Sequence, residues 1–523
     1  MKISFSGMKR NRKIVSSIAL ILILAFSSGI MTGRFVFGIG VSPNYPNINV
    51  NNVAPYSYMI QTDGNGWYWA VNGTDSSIYL SSTNATAVIN NVFGNLASGG
   101  SVLIKAGNYS ITSSLTILNN TFVYGEGAAT NLIRNFHGAN TQLLRASALY
   151  ETNIKVAHLQ VDGNATVGVQ GEHNIEFAYC SNVIVEDVLS HGGGCCNIVF
   201  SRCTNSSIIN NVCYNNLYDN SITVFNGCNN IVVSGNRVYG SWGVGIEVES
   251  STTQAITVSN NIVSYCGDDG IRFLTVGTTT APALCSVTGN ICFNNVYNGL
   301  EISTAPQVTV SGNTFYNNGY HGIYSTGNST ITGNTFYSNV ECGIKFVGGK
   351  NTVTSNTITG SQRGIELSGG DNIVVGNRMY NNLYQGIESG SNINYNVITN
   401  NIIKGSYWGI YLPATNTYNL ITDNNVAENS VGAISISGST NKVSGNIGFV
   451  TENTVLNVAN TTATTFVFNH GLASTANSVN VQFNFTGWTS WTWTSTTTQV
   501  TVTVTGTLPQ NMSILAADVK YIP

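Results

Sequence analysis

The 523-residue chain is poor in charged residues and in proline. Only 8% of its residues are Asp, Glu, Lys or Arg, and only 8 are Pro, whereas charged residues make up about 25% of an ordinary soluble domain. The formal net charge is −3, and no basic block follows the extreme N-terminus. This charge pattern argues against a nucleic-acid-binding protein. Intrinsic disorder is also disfavoured, because 42% of the residues are hydrophobic.

Uncharged polar residues take the place of the missing charges. The chain has 55 Gly and is visibly rich in Asn, Thr and Ser. These residues are poor helix formers and suit turns and the solvent faces of strands. The composition therefore favours stacked strands over helices.

A positively charged start precedes an apolar run. Lys2 and the basic residues of positions 9–13 stand before the uncharged residues 14–31. This order is typical of a secretory signal or a signal anchor, so residues 1–34 are interpreted as one of these two. We expect a secreted or cell-surface protein that contacts a membrane only through this segment.

An apolar-x-x-Asn phrase recurs through the middle of the chain. Successive copies are 21 to 29 residues apart, and each is followed by a Gly-apolar-x-apolar phrase in most units. The repeated asparagines are Asn211, Asn236, Asn261, Asn290, Asn313, Asn334, Asn356, Asn377, Asn401, Asn424 and Asn446.

Each repeat contains two or three short alternating strands and no helical stripe. Such a unit cannot bury its apolar face alone and must stack on its neighbours. The period therefore predicts an all-β fold, a right-handed parallel β-helix over residues 85–450, with the repeated Asn bonding from coil to coil. Leucine-rich repeats share this period, but their Leu-x-x-Leu-x-Leu spacing is absent.

The segment before the repeats predicts a capping helix. Val88, Ile89, Val92, Phe93 and Leu96 share one helical face within residues 85–96. A Gly-Gly-strand-Ala-Gly-Asn-Tyr stretch follows at 99–109, and Gly-Glu-Gly at 125–127. This order resembles the opening of the pectin-lyase-like superfamily, and the repeats resemble those of its enzymes and of a periplasmic copper-processing family. The resemblance covers about residues 85–450 and implies the fold rather than one activity, because the superfamily holds hydrolases, lyases, epimerases, tail spikes and adhesins.

The two flanking segments differ from the repeats. Residues 35–84 are expected to form an N-terminal extension. Residues 451–523 contain alternating strands and predict a small antiparallel β-sandwich. Trp488, Trp491 and Trp493 lie there. They are interpreted either as sugar-stacking side chains or, for the last two, as core residues of one strand.

Stacked coils convert equal offsets into rows on the surface. Charged and aromatic residues, scarce elsewhere, fall on adjacent rows beside the repeated Gly, which is what a sugar polymer requires. We therefore predict a polysaccharide or cell-surface glycan as partner. The predicted substrate contacts are Arg272, Tyr297, Tyr320, Lys345, Arg363, Tyr384, Tyr407 and Trp408.

The most distinctive local motif is Gly267-Asp268-Asp269-Gly270. It resembles the paired-aspartate motif of polygalacturonases. Tyr320-His321-Gly322 and Ile344-Lys345 resemble that family's Gly-His-Gly and Arg-Ile-Lys motifs. The resemblance implies hydrolysis or elimination of a glycan, with Arg272 holding a substrate carboxylate. The predicted catalytic set is Asp268, Asp269, Glu247, Glu301 and His321.

Several elements of those enzyme families are missing. Val244 stands where the polygalacturonase Asn-Thr-Asp motif is expected, and no Asp-Pro-His or Arg-x-Pro-x-x-Arg motif occurs. Asp268 and Asp269 are therefore also compatible with an ordinary turn or with a Ca²⁺ site. The competing function is a non-catalytic adhesin, spike or envelope protein. The fold admits a homotrimer, although no coiled-coil heptad supports one.

All ten Cys lie between Cys180 and Cys342. In an exported protein they are compatible with disulfides or with small core residues. His191, Cys195, Cys196 and Cys203 have no recognised metal spacing, so no metal is expected there. No cofactor is predicted apart from the Ca²⁺ alternative.

Overall fold

The computed structural model describes residues 56–276, 283–305, 307–413, 415–436, 438, 440–509 and 512–522. The predicted signal or anchor segment and the first part of the predicted N-terminal extension lie outside these residues. Strands are numbered β1–β49 along the chain.

The described chain begins with a small cap. Three strands, β1 (Tyr58–Thr62), β2 (Tyr68–Asn72) and β3 (Ile78–Ser82), pair antiparallel, and β1 also pairs parallel with the first strand of the solenoid. Helix α1 (Ala85–Gly94) follows, and the Asn84 side chain caps it by accepting from the Ala87 N–H. Its buried face contains the predicted apolar residues, which confirms the capping helix.

Three parallel ladders form the body of the molecule. The first runs through β4 (Gly100–Ile104), β7 (Thr121–Arg134), β9 (Thr152–Asp162), β11 (Ser181–Glu186), β14 (Thr204–Ile209), β17 (Asn229–Ser234), β20 (Gln254–Ser259), β23 (Ser286–Thr288), β26 (Thr309–Ser311), β29 (Thr330–Thr332), β32 (Thr352–Thr354), β35 (Ile373–Val375), β38 (Val397–Thr399), β41 (Leu420–Thr422) and β43 (Lys442–Ser444).

The second ladder shares the long strands β7 and β9 with the first. Its other members are β5 (Gly107–Ile111), β12 (Leu189–His191), β15 (Val212–Tyr214), β18 (Arg237–Tyr239), β21 (Ile262–Ser264), β24 (Ile291–Phe293), β27 (Thr314–Tyr316), β30 (Thr335–Tyr337), β33 (Thr357–Thr359), β36 (Arg378–Tyr380) and β39 (Ile402–Lys404).

The third ladder is a separate 14-stranded sheet and carries the candidate site. Its strands are β6 (Leu115–Ile117), β8 (Gln142–Ala146), β10 (His173–Ala178), β13 (Ile198–Ser201), β16 (Ile222–Phe225), β19 (Ile246–Glu249), β22 (Ile271–Leu274), β25 (Leu300–Ser303), β28 (Ile323–Ser325), β31 (Cys342–Phe346), β34 (Arg363–Leu367), β37 (Gln385–Ser389), β40 (Trp408–Leu412) and β42 (Gly432–Ile436). The parallel β-helix prediction is confirmed.

Inward side chains of the three ladders form one continuous apolar core from Ile60 to Val443. Equivalent residues of adjacent coils lie above one another, as where the rings of Phe315 and Phe336 stack 5.3 Å apart. Each strand therefore alternates buried and solvent-facing residues, and only the outward ones are available for binding.

The repeated asparagines form a buried ladder of amides. Asn356 is typical: its side-chain amide donates to Oδ1 of Asn377 over 2.9 Å and to the carbonyl oxygen of Ile331 over 3.0 Å. Its own Oδ1 accepts both the backbone N–H and the side-chain amide of Asn334. Each of these asparagine side chains thus forms hydrogen bonds with polar groups of two coils, as expected from the repeat.

Two three-stranded antiparallel sheets follow the solenoid. One contains β44 (Glu452–Ala459), β46 (Ser478–Phe483) and β49 (Ser513–Lys520); the other contains β45 (Thr465–Asn469), β47 (Trp488–Ser495) and β48 (Gln499–Gly506). They enclose a second apolar core, against which Trp491 and Trp493 pack, whereas Trp488 is exposed.

Helix α1, with 10 residues, is the only α-helix in the described ranges, and none there has the length and hydrophobicity of a membrane span.

Candidate functional site

The register of the third ladder creates a row of charged side chains on its outer surface. Glu247 pairs with Arg272, and Arg272 with Glu301. The row continues through later coils, and its members, here called the charged row, are Glu247, Arg272, Glu301, Tyr324, Lys345, Glu366, Glu388 and Tyr411. This row agrees with the sequence prediction.

Two further rows precede each strand of this ladder. The buried row contains Asp269, Asn298 and His321, and the exposed row beside it contains Asp268, Tyr297 and Tyr320. In the coil before Glu247, the sequence pattern takes Asn220 as the equivalent of the repeated Gly and so predicts Asp219 for the buried row. This prediction is wrong by one residue: the pairing of Ile222 with Ile246 puts Asn220 in that row, because Ser221 occupies the position of the repeated Gly.

Arg272 binds two carboxylates. Its Nε and Nη2 lie 2.8 Å and 2.7 Å from Oε1 of Glu247, and its Nη1 lies 2.7 Å from Oδ2 of Asp268. The Asn220 amide donates to the other oxygen of Glu247. Burial raises the pKa of Glu247 above its ordinary value, against the opposing effect of Arg272. Arg272 is therefore engaged within the protein rather than free for a substrate carboxylate.

Asp269 and Glu301 form a pair of a different kind. The Asp269 side chain is 0% exposed, its Oδ1 accepts the backbone N–H of Asn298 over 2.8 Å, and its Oδ2 has no donor. Burial, followed by the hydrogen bond and charge of Glu301, raises the pKa of Asp269 to about 8. Glu301 reaches the surface and accepts from the Ser303 hydroxyl. At neutral pH Asp269 therefore keeps its proton, next to the carboxyl group of Glu301.

His321 continues the buried row above Asn298. Its backbone N–H donates to Oδ1 of Asn298 over 3.2 Å, and its ring stacks on Tyr324 with centroids 5.9 Å apart. Burial and the charges of Lys345 and Arg363 lower the pKa of His321 to about 4. The imidazole is therefore neutral at physiological pH.

The predicted substrate contacts divide into two classes. The exposed aromatic residues remain accessible: Tyr297 and Tyr320 stack with centroids 5.3 Å apart, and Tyr384 and Tyr407 are also exposed. The cationic residues are paired instead, since Lys345 binds Glu366 and Arg363 binds Glu388. The Arg363 guanidinium also lies over the Tyr384 ring, and the ring of Trp408 packs at a tilt against that of Tyr411.

A groove of about 340 Å³ lies lower on the same ladder, away from the acidic residues. Its polar lining includes Gln142, Arg145 and Glu176, and Leu149 adds an exposed apolar side chain. This groove was not predicted from the sequence, because the predicted rows begin one coil before Glu247, above the residues that line it.

The ten Cys, all within the described part of the chain, are buried and unpaired. Two of them, Cys195 and Cys196, cluster with a histidine. The Sγ atoms of Cys195 and Cys196 lie 3.8 Å apart, and a ring nitrogen of His173 and both sulfurs lie within 4.8 Å of one another. The neighbouring Cys196 and then His173 lower the pKa of the Cys195 thiol to about 6. The sequence search paired these cysteines with His191 and Cys203 instead and missed His173.

The Ca²⁺ alternative has no support in this geometry. Ca²⁺ requires several free carboxylate or carbonyl oxygens. Asp268 is bound by Arg272, and Asp269 is protonated and buried. Within the described residues, neither acid belongs to a group of three His, Cys, Asp or Glu side chains close enough to share a metal ion, so the Ca²⁺ alternative stays a prediction.

Two family models match the chain. Residues 255–358 match the model of the right handed beta helix region, and residues 337–508 match that of the periplasmic copper-binding protein NosD. No curated protein matches the chain.

Solved structures with the same architecture include two mutants of the tailspike protein of E. coli bacteriophage HK620. One, in complex with a hexasaccharide, is 14% identical with a TM-score of 0.54, and a double mutant is 13% identical with a TM-score of 0.56. Both alignments cover 84% of this chain and 90% of the tailspike chain. The A-module of the Azotobacter vinelandii mannuronan C-5 epimerase AlgE6 is 15% identical with a TM-score of 0.45, over 70% of this chain and 95% of that one.

The segment that matches the copper-binding family does not itself offer a copper site. Its potential soft or imidazole ligands are Cys342, Met379 and His470. In the part of the chain that the structure describes, the only group of three His, Cys, Asp or Glu side chains close enough to share a metal is His173, Cys195 and Cys196, outside that segment. What the ladders and the family matches establish together is the architecture: the chain folds as a right-handed parallel β-helix.

Proposed function

We propose that the outer face of the third ladder, from Glu247 to Tyr411, binds a polysaccharide without carboxylate groups and hydrolyses it at Glu301. One observation carries this proposal. Among the described residues Glu301 has no cationic partner, and it lies next to the buried, protonated Asp269 and to the exposed Tyr297–Tyr320 stack.

The binding part rests on the exposed row. Tyr297 and Tyr320 are 43% and 44% exposed, and their rings are held by mutual stacking. Rigid aromatic faces bind the apolar faces of sugar rings at low entropic cost. Tyr384 and Tyr407 extend the same row, so the surface is long enough for several sugar units.

The choice of an uncharged glycan follows from the cations. Arg272, Lys345 and Arg363 are each engaged by carboxylates of the protein. A uronic acid polymer would require a cation for each bound carboxylate, and lyases that eliminate across such a sugar depend on that neutralisation. Hydrolysis has no such requirement, so the ion pairs favour it over elimination.

The chemistry requires a proton donor and a second carboxylate. Glu301 is the member of the pair that reaches solvent, and Asp269 holds at neutral pH the proton that passes through Glu301 to the glycosidic oxygen. Asp268, on the preceding coil, is held by Arg272 and is partly exposed. Glu301 is thus assigned as general acid and Asp268 as the carboxylate that orients water, the division of labour that glycoside hydrolysis requires. His321, neutral and buried, supports Asn298 rather than contacting substrate.

The competing function is a glycan-binding adhesin, spike or envelope protein without catalysis. The same ion pairs favour it, because a row of mutually neutralised charges is also what a stable, inert surface needs. In both cases the protein is expected outside the cytoplasm, as the basic and apolar N-terminal segment indicates, and assembly as a homotrimer stays a prediction.

The test combines binding and activity of the full-length chain on a panel of neutral and uronate-containing polysaccharides. New reducing ends are expected on a neutral polymer, and Glu301→Gln is expected to lower the rate at least about 100-fold. Glu366→Gln, in the same row but three coils away, is the matched control and should retain activity. Tyr297→Ala with Tyr320→Ala should weaken binding, whereas Tyr337→Ala, in the exposed and stacked Tyr316–Tyr337 pair of the second ladder, should not.

Three other results would contradict parts of the proposal. Binding without new reducing ends supports the adhesin. Unsaturated products from a uronate polymer overturn the choice of hydrolysis. Activity that survives Glu301→Gln overturns the assignment of the general acid.

A further inference from the structure

Cys195 and Cys196 differ in their surroundings from the cysteines of the solenoid core. Cysteines such as Cys213 and Cys292 lie in the continuous apolar core, where a thiol acts as a small hydrophobic group. Cys195 and Cys196 instead belong to a small separate cluster on the outer side of the third ladder. Apolar packing therefore explains the burial of Cys213 and Cys292, but it does not explain the surroundings of Cys195 and Cys196.

Three adjacent coils bring polar groups to the two thiols. His173, the first residue of β10, lies one coil before Cys196, whose backbone N–H approaches its Nδ1 at 3.3 Å. On the following coil, Oδ2 of Asp219 lies 3.9 Å from the Cys195 sulfur and Oγ1 of Thr223 lies 3.8 Å from the Cys196 sulfur. Two sulfurs, an imidazole and a nearby carboxylate thus converge.

The backbone around these side chains is fixed by the solenoid. The Cys195 N–H donates to the Glu172 carbonyl oxygen over 2.8 Å, and the Asn174 N–H donates to the Cys196 carbonyl oxygen over 3.0 Å. His173 and Cys196 are therefore held at one coil's separation before any ligand arrives. Such preorganisation lowers the cost of binding.

We infer that His173, Cys195 and Cys196 bind one thiophilic d¹⁰ metal ion, Cu(I) or Zn(II). Two thiolates and one imidazole are the donors that these ions prefer over harder cations. Cys195 and Cys196 are each 2% exposed, whereas His173 is partly exposed and Asp219 is exposed. The ion therefore has a route of entry past the carboxylate. Binding replaces the two thiol protons by one metal ion, so affinity increases with pH.

The two ions differ in whether they require Asp219 as a ligand. Structural zinc is almost always four-coordinate, so Zn(II) needs the Asp219 carboxylate or a water as its fourth ligand. Cu(I) is satisfied by the three residues alone. Asp219→Asn is therefore expected to weaken Zn(II) binding and leave Cu(I) binding unchanged, which distinguishes the two ions. The site is independent of the proposed glycan hydrolysis.

The experiment uses the reduced, full-length chain under anaerobic conditions. Competition titrations with a chromophoric chelator are run with Cu(I) and, separately, with Zn(II). One equivalent of one of these ions is expected to bind, and X-ray absorption should show two sulfur ligands and one nitrogen, with the sulfurs about 2.3 Å from a bound Zn(II). His173→Gln should weaken binding more than about tenfold, and Cys195→Ser with Cys196→Ser should abolish it.

Cys266→Ser is the matched control, because Cys266 is equally buried but has no His or Cys partner of this kind. It should bind the ion as the parent chain does. A folding check by circular dichroism accompanies each variant. If a cysteine variant fails to fold, a rise in melting temperature of the parent chain on adding the ion, lost in His173→Gln, tests the same site.

The inference is overturned by absence of stoichiometric binding of either ion. It is also overturned by binding that His173→Gln leaves intact. Mass spectrometry of the isolated, unreduced protein tests for a Cys195–Cys196 disulfide. If that disulfide is present, and if the reduced chain re-forms it in preference to binding metal, the inference is also overturned.

Discussion

Asn298 donates its backbone N–H to Oδ1 of Asp269 over 2.8 Å across two neighbouring coils. This bond fixes the carboxyl group inside the wall of the solenoid and leaves Oδ2 without a donor. The proton that Asp269 keeps at neutral pH lowers the cost of its buried position, because a neutral carboxyl group is easier to desolvate than a carboxylate. Local electrostatics at this acid therefore depend on pH in a way that can be measured.

Asp269→Asn is expected to change how stability varies with pH. The folded pKa of about 8 lies above the ordinary value of 3.8, so the folded chain retains a proton that the unfolded chain releases. The parent protein therefore loses stability as pH rises through this window, by at most about 1.4 kcal/mol per pH unit from this group. Because Asn cannot titrate, the variant lacks this loss of stability. The difference in the free energy of unfolding, variant minus parent, should therefore increase from pH 4 to pH 8. Urea unfolding at a series of pH values measures this, with the exposed Asp371→Asn giving a flat difference as control.

Arg272→Met is expected to be strongly destabilising. Removing the guanidinium leaves Glu247, which is 4% exposed, as a buried carboxylate without its cation, and such losses cost about 3–5 kcal/mol. Lys404→Met breaks the exposed ion pair with Glu428 instead and should cost no more than about 1 kcal/mol. Denaturant unfolding of the two variants compares them directly; equal effects would show that Arg272 is not essential to the buried acid.

His321 is expected to titrate far below an ordinary histidine. With a pKa of about 4 against 6.5, the folded chain resists a proton that the unfolded chain accepts. Stability should therefore fall as pH drops from about 6.5 to 4, and His321→Gln should remove that component. NMR of the protein with labelled histidine, assigned through this variant, should show one imidazole titrating near pH 4. A midpoint near 6.5 would mean that the ring is not desolvated.

Asn356→Ala tests the amide ladder. The substitution takes the acceptor from two buried donors of Asn334, its backbone N–H and its side-chain amide, and each unsatisfied donor costs about 1–3 kcal/mol. We expect a loss of roughly 2–6 kcal/mol in the free energy of unfolding of the solenoid. Asn108→Ala removes an exposed amide contact with Asn131 and should change stability by less than about 1 kcal/mol. Similar losses of stability in the two variants would show that the buried amide ladder contributes no more than an exposed amide contact.

The fold could be predicted from the sequence because the same pattern of Asn and short strands recurs in successive coils. The Asn spacing defines the coil, and the short alternating strands between these residues define the ladders. Helix α1 was equally visible, since Val88, Ile89, Val92 and Phe93 share one face, whereas Leu96 lies just beyond its end. The single register error, at Asp219 and Asn220, arose where Ser221 replaces the Gly that marked other coils.

The site was only partly predictable. Equal offsets correctly placed Glu247, Arg272 and Glu301 in one row. Offsets do not specify which side chains bind each other, so the double ion pair of Arg272 and the isolation of Glu301 required coordinates. His173 was missed because it lies one coil before Cys196, a separation that is diagnostic only when the coil length is applied to Cys and His as it was to Asn.

Coils of different length share one amide ladder, and this has a consequence for how such a chain changes over generations. Residues 335–356 run from one ladder position to the next, so deleting or duplicating them in frame joins equivalent backbone positions. Each event would shorten or lengthen the outer face by one step of about 4.8 Å without redesigning the core. Recombination within the gene can therefore fit the protein to longer or shorter ligands in whole increments, while the turn between ladders supplies new side chains.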